Sequence, residues 1–222
     1  STRRIGLSAS PVREDSKERE IFALIGPEIG GDWARFFSDN YVLRPDVKIM
    51  FSEWASDHYR HKYHEASGIK KAIIASKNPA KKERLKNLME EHEDKKKIIF
   101  CDWIDQGEEI SRELDVPFVY GDTDFDDRDE YFQKFRDGEI DTLIVSRIGD
   151  EGLDLPDAEV GIIMSGQGGS RRQATQRAGR VMRPFGDAKV YMIATKGSNE
   201  EDFAKRQVEL LKEKGVPVQV ED

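Results

Sequence analysis

Apolar and polar positions fall into two regimes along this chain. From residue 97 onward, short apolar runs at 98–101, 117–120, 142–146, 160–164 and 189–194 have the length and β-branched character of buried strands. Between and after them, 104–114, 126–137, 171–181 and 200–214 space their apolar residues as one face of a helix does. Short apolar strands alternating with amphipathic helices predict an α/β fold, a parallel sheet covered by helices on both faces. In such sheets ligands gather beyond the carboxyl ends of the strands, and Gly121, Ser146 and Gly168 follow strand ends directly.

The first half of the chain is less regular. Alternation at Ile5, Leu7 and Ala9 predicts a strand over 1–10, interrupted by Pro11. A helix is predicted over 15–24 and ends near Gly26-Pro27, and Asp32 caps a short helix over 33–37. Short strands at 41–43 and 47–51 flank Pro45. From 52 to 94 the pattern is helical in two arms, broken at 76–79, where Lys77-Asn78-Pro79 makes a good start for a helix over 80–93. This stretch stands outside the strand–helix rhythm and looks like an insertion.

At 222 residues the chain suits one sizeable domain, with or without an insertion, and can bury a core. No apolar run approaches a membrane span, and Ser-Thr-Arg-Arg does not open a signal peptide. A single cysteine, Cys101, at the end of an apolar run, reads as a buried core thiol and fits a reducing, cytoplasmic setting. The net charge of −8 hides an asymmetry. Residues 58–97 hold twelve Lys and Arg against six Asp and Glu, a net of +6, so the remainder carries −14. A basic island on an acidic body suits a polyanion, and Lys70, Lys71, Lys81 and Lys82 are its candidate phosphate contacts. His58, His61 and His64 share this island without a carboxylate or cysteine at matching spacing, so no metal site is assigned. Trp54, Tyr59 and Tyr63 on the same stretch read as packing residues. The 36% of charged residues hints at a thermophilic source.

The densest chemistry lies at 173–183, after the loop Gly166-Gln167-Gly168-Gly169-Ser170. On a helix of 3.6 residues per turn, Gln173, Gln176, Arg180 and Arg183 fall within a wedge of roughly 80°, with Ala174, Ala178 and Val181 opposite. Two guanidiniums in a fixed fork suit a polyphosphate whose charge grows in a transition state. Arg177 projects away from this face and reads as a structural ion pair.

This stretch resembles motif VI of the superfamily-two helicases, Q-x-x-G-R-x-x-R, matched by Gln176, Gly179, Arg180 and Arg183. Residues 145–156, with Gly152 and Asp154, resemble motif V, and Leu7-Ser8-Ala9-Ser10-Pro11 resembles motif III, with Ser10 in place of the usual Thr. Val12-Arg13-Glu14-Asp15, Tyr120-Gly121-Asp122-Thr123 and Gly168-Gly169-Ser170-Arg171-Arg172-Gln173 are similar to the XPB family of DNA repair and transcription helicases.

The resemblance implies a RecA-like domain, 13–222, with an inserted basic helical thumb at 52–95, preceded at 1–12 by the last strand of a first RecA-like domain. No G-x-x-x-x-G-K-[S/T] loop and no Asp-Glu-x-His occur, so ATP and Mg²⁺ would be held mainly by that first domain, and this chain alone should be inactive. By the same resemblance, Arg180 and Arg183 act as arginine fingers, Gln176 orients water or touches phosphate, and Gly152 and Asp154 meet the nucleotide ribose. Gly121, Thr123 and Ser146 grip DNA backbone at strand ends, and Arg13, Glu14 and Asp15 match a motif associated with DNA opening. The implied function is an ATP-dependent, archaeal-type DNA helicase or translocase of nucleotide excision repair or transcription. Its partners would be DNA, the amino-terminal helicase domain and a repair nuclease or transcription factor, with no membrane. Two alternatives stay open here: half of a DEAD/DEAH-type RNA helicase, and a non-enzymatic DNA-binding module.

Overall fold

Unbroken burial along the central strands, rather than alternation, marks one sheet with two covered faces. The computed structural model describes residues 45–146, 155–164, 188–213 and 215–221. In chain order these form β1 (Asp46–Ser52), α1 (Asp57–Glu65), α2 (Gly68–Ser76), α3 (Ala80–Glu91), β2 (Lys97–Phe100), α4 (Ile104–Leu114), β3 (Phe118–Val119) and α5 (Phe125–Asp137). They continue with β4 (Thr142–Val145), β5 (Val160–Ile163), β6 (Lys189–Thr195), α6 (Asn199–Glu213) and β7 (Val218–Glu221). The sheet runs β3-β4-β2-β5-β6-β1-β7 with every pairing parallel. All strands therefore end on one edge.

Alternate residues serve opposite layers. Phe51, Ile98, Phe100, Leu143, Val145 and Met192 pack with Phe132 and Phe135 of α5 and Ala204, Val208 and Leu211 of α6. Their neighbours Met50, Ile99, Ile144 and Ile193 pack with Leu85 and Leu88 of α3 and Ile110 of α4. Burying each of these large aliphatic side chains contributes about 1.5–3 kcal/mol. Cys101 is buried, as its apolar flank predicts.

Local chemistry sets the helix ends. Gly138 closes α5 in the left-handed region (φ 79°), which a residue without Cβ enters freely. Gly107 has a different reason: a Cβ there would overlap the Phe118 ring, so α4 sits close against β3. At the far end of α3, the buried Lys97 ammonium donates to the carbonyls of His92 (2.8 Å) and Lys95 (2.7 Å). A cation there satisfies orphan carbonyls and opposes the helix dipole.

Two expectations change. The stretch predicted as two helical arms holds three helices, because the chain turns through extended Ala66 and Ser67 between α1 and α2. The last of them, α3, belongs to the core rather than to an insertion, since Leu85 and Leu88 are buried against the sheet. Strand β7, not foreseen, adds to the edge beside β1 with Val47 opposite Val218 and Ile49 opposite Val220. The elements predicted at 1–10, 15–24, 33–37, 41–43 and 171–181 lie outside the described residues.

Candidate functional site

Because the sheet is all parallel, the ends of β3, β4, β5 and β6 share one edge, and Gly121, Thr123 and Ser146 lie along it. After β3, the Thr123 N–H donates to the Tyr120 carbonyl (3.0 Å) while Thr123 Oγ1 accepts from the Tyr120 N–H (2.9 Å). This closed turn leaves Gly121 exposed, with nothing within 4 Å of where a Cβ would stand. Among the described residues, packing therefore does not demand glycine at 121. Ser146 follows β4, is buried, and its N–H donates to the Val119 carbonyl (3.0 Å). Gly121, Thr123 and Ser146 are thus brought to neighbouring strand ends. Arg13, Glu14, Asp15, Gly152, Asp154, Gln176, Arg180 and Arg183 lie outside the described residues.

The basic island divides sharply. Lys81 is 1% exposed, and its ammonium lies 2.8 Å and 3.0 Å from the two carboxylate oxygens of Glu200. It cannot reach a phosphate outside, which corrects the sequence expectation: its position on α3 faces the core. Lys82 is only partly exposed and bridges Glu109 (2.5 Å) and Glu113 (3.0 Å) on α4. Burial works against its ammonium, but the hydrogen bonds to both carboxylates outweigh this and hold its pKa above the usual lysine value. Lys77 pairs with Asp105, Arg84 with Glu221, Lys86 with Glu113 and Lys95 with Glu159. Lys96 and Lys97 cap carbonyls.

What remains is smaller and better localised. Arg60 and Lys62 on α1 and Lys70 on α2 are exposed, and Lys71 lies over the Tyr63 ring at 4.5 Å. Among the described residues none of these four has a carboxylate partner. His58, His61 and His64 are exposed on the same helix, and His61 Nε2 lies 3.2 Å from Glu65. The α1–α2 arm is the free cationic surface of the island. Among the described residues no group of three or more His, Cys, Asp or Glu is placed to hold a metal ion.

The arm is fastened to the same strand-end edge by Trp54 and Tyr63, which pack as the sequence predicts, and by Asn78, whose role the sequence does not show. Tyr63 is buried, packs against Trp54 (ring centroids 5.0 Å apart), and its hydroxyl accepts from the Asn199 N–H at the start of α6 (2.7 Å). Burial raises the Tyr63 pKa, which keeps the phenol protonated. Asn78, 1% exposed, accepts from the Ala55 N–H (3.0 Å) and donates to the Glu53 carbonyl (2.8 Å) and Thr195 Oγ1 (3.3 Å). Thr195 Oγ1 in turn donates to the Ala75 carbonyl at the end of α2 (2.7 Å). In the sequence, Asn78-Pro79 marks only a helix start; that its amide is buried depends on a strand more than one hundred residues away.

Residues 38–220 match the family model described as the ERCC3/RAD25/XPB C-terminal helicase. The chain belongs to this family. Along its full length it is 46% identical to a protein of Halobacterium salinarum named as a Rad25-type DNA 3'-5' helicase, of which it covers 37%. It is 33% identical over 99% of its length to a Kineococcus radiotolerans protein named DNA 3'-5' helicase XPB, covering 40% of it. The chain thus spans about two fifths of the curated relatives it matches. Solved structures agree on the fold. The C-terminal domain of the DEAD-box protein Dbp5 matches 80% of this chain and 89% of its own with a TM-score of 0.56 at 14% identity. The Sulfolobus solfataricus SWI2/SNF2 ATPase C-terminal domain matches 73% and 85% with a TM-score of 0.52 at 18% identity. The RecA-like class expected from the motifs is the class found, and the XPB-family resemblance holds. No helix among the described residues is long and apolar enough to cross a membrane.

Proposed function

We propose that this chain is the second motor domain of an ATP-driven DNA helicase or translocase. It would work across a cleft from an amino-terminal domain that holds most of the ATP and Mg²⁺. The observation that carries the reading is a cationic arm, without carboxylate partners among the described residues, fastened at the β6 and β1 ends of the same strand-end edge that bears Gly121, Thr123 and Ser146 at the β3 and β4 ends. ATP hydrolysis supplies the free energy for movement, and Mg²⁺ neutralises charge on the phosphates. In this chain Arg180 and Arg183 stabilise the charge that develops on the γ-phosphate, Gln176 orients the attacking water, and Gly152 and Asp154 contact the nucleotide. Gly121, Thr123 and Ser146 hold DNA phosphates without reading bases, as a moving motor requires. Arg60, Lys62, Lys70 and Lys71 make the arm a thumb on the duplex, and Arg13, Glu14 and Asp15 act in strand opening. A cytoplasmic location and service to a repair nuclease or transcription factor belong to the same proposal.

The test is ATP turnover by the two-domain protein. Arg180→Ala and Arg183→Ala should each lower it about a hundredfold or more, roughly 3 kcal/mol of barrier. DNA affinity measured without nucleotide should hold. If DNA binding collapses while turnover persists, the arginines are a backbone clamp and the motor assignment fails.

A further inference from the structure

One buried charge pair is not explained by DNA or nucleotide contact. Lys81 lies on the first turn of α3 and Glu200 on the first turn of α6, and these helices cover opposite faces of the sheet. The two side chains meet over the strand-end edge. The Lys81 ammonium donates to both Glu200 oxygens (2.8 Å and 3.0 Å) and to the Met164 carbonyl, directly after β5. Glu200 Oε2 also accepts from the Thr195 N–H (3.0 Å). Both residues are at least 94% buried, at 1% and 6% exposure.

Stability is a poor reason for this arrangement. Two ions lose their hydration when buried, and apolar residues of similar size usually hold two helices as well. What an ammonium adds is direction: its three donors are aimed at three named acceptors. One of these is the last backbone carbonyl before the segment that leads to Arg180 and Arg183. Another is the carboxylate that holds Thr195, whose hydroxyl grips the base of the arm through Ala75 and Asn78.

We propose that Lys81 and Glu200 are positioning residues that fix the end of β5 relative to β6 and the base of the arm. The inference rests on the motor reading given above. Its core, the fixing of the β5 end, can be tested apart from that reading.

The decisive variant is the double change Lys81→Met with Glu200→Gln. Methionine keeps the stem and removes the donor to Met164, while glutamine keeps an acceptor for Thr195 without leaving an unpaired charge. In the two-domain protein, kcat for ATP should fall about tenfold to a hundredfold, as small misplacements of reacting groups do. KM for ATP should stay within about twofold, and the urea midpoint should stay near the parent's. In this chain alone, amide hydrogen exchange at Met164 and Thr195 should accelerate while exchange in the middle of β4 does not. Parental kcat together with parental exchange would overturn the proposal and make the pair a simple fastener. If that double variant unfolds, Lys81→Gln with Glu200→Gln, which keeps both polar groups without a buried charge, should show the same kcat-without-KM loss at smaller size, and parental kcat there overturns it equally. Arg180→Ala is the control: parental turnover in that variant sinks the motor reading, while the exchange result still decides whether the pair fixes the β5 end.

Discussion

Four side chains should carry the salt dependence of duplex binding by the arm. Arg60, Lys62, Lys70 and Lys71 have no carboxylate partner among the described residues, whereas Lys81 is sealed against Glu200 and Lys82 is shared between Glu109 and Glu113. Helix α1 has 9 residues, so it is about 13 Å long at 1.5 Å per residue. That length spans about four phosphates along one strand at 3.4 Å of rise each. Each neutralised phosphate contributes close to 0.9 of log–log slope, so four contacts give a slope of about −3.6. Affinity through the arm should then fall about 150-fold between about 50 and 200 mM salt. The assay is fluorescence anisotropy of a labelled duplex across that range. Replacing all four residues with Ala should flatten the slope by about three to four units, and Lys70→Ala with Lys71→Ala by about two. Lys82→Ala should leave the slope nearly unchanged. If Lys82→Ala flattens it as much as the fourfold variant, the division of the island between free and paired charge is wrong. An unchanged slope in the fourfold variant would remove the arm from the DNA interface.

Other outcomes follow from the packing. Leu88→Ala should lower stability by about 2–5 kcal/mol in urea unfolding, because Leu88 is 1% exposed in the layer beneath α3. A loss under 1 kcal/mol would mean that α3 is not the core helix described. Gly107→Ala should cost about 1–3 kcal/mol, because its methyl would have to displace the Phe118 ring, and a neutral effect would show that β3 yields freely. Burial holds the His92 imidazole below its usual pKa, reinforced by Lys189 and Lys97 and opposed by Glu91, while its Nε2 meets the Tyr191 hydroxyl at 2.8 Å. The unfolded chain therefore takes up this proton first, so the contribution is present above about pH 6.5 and is lost as pH falls below it toward the folded value. His92→Gln should reduce the loss of stability between pH 7.5 and pH 5 measured by urea titration, and an unaltered pH profile would refute the assignment.

The local pattern carried much of the fold. Helix 104–114 was legible to the residue and β2, β4, β5 and β6 to within one residue at either end, because each pairs a strong apolar period with a clear breaker. Strand β7 was not legible, since Val218-Gln219-Val220-Glu221 is too short to stand apart from the tail of a helix until β1 offers it an edge. Family membership was also written in the sequence, in motifs that join a residue type to a spacing. The fate of each charge was not. Lys81 and Lys82 are adjacent in a basic run and look alike, yet one points into the sheet and the other along its surface, a difference set by which side of α3 meets β6. A charge count sums over neighbours in sequence, whereas pairing depends on carboxylates that the fold brings in from 27 or 119 residues away. For that reason the chain alone declared a basic island, and only the tertiary structure decided which of its cations remain for a partner.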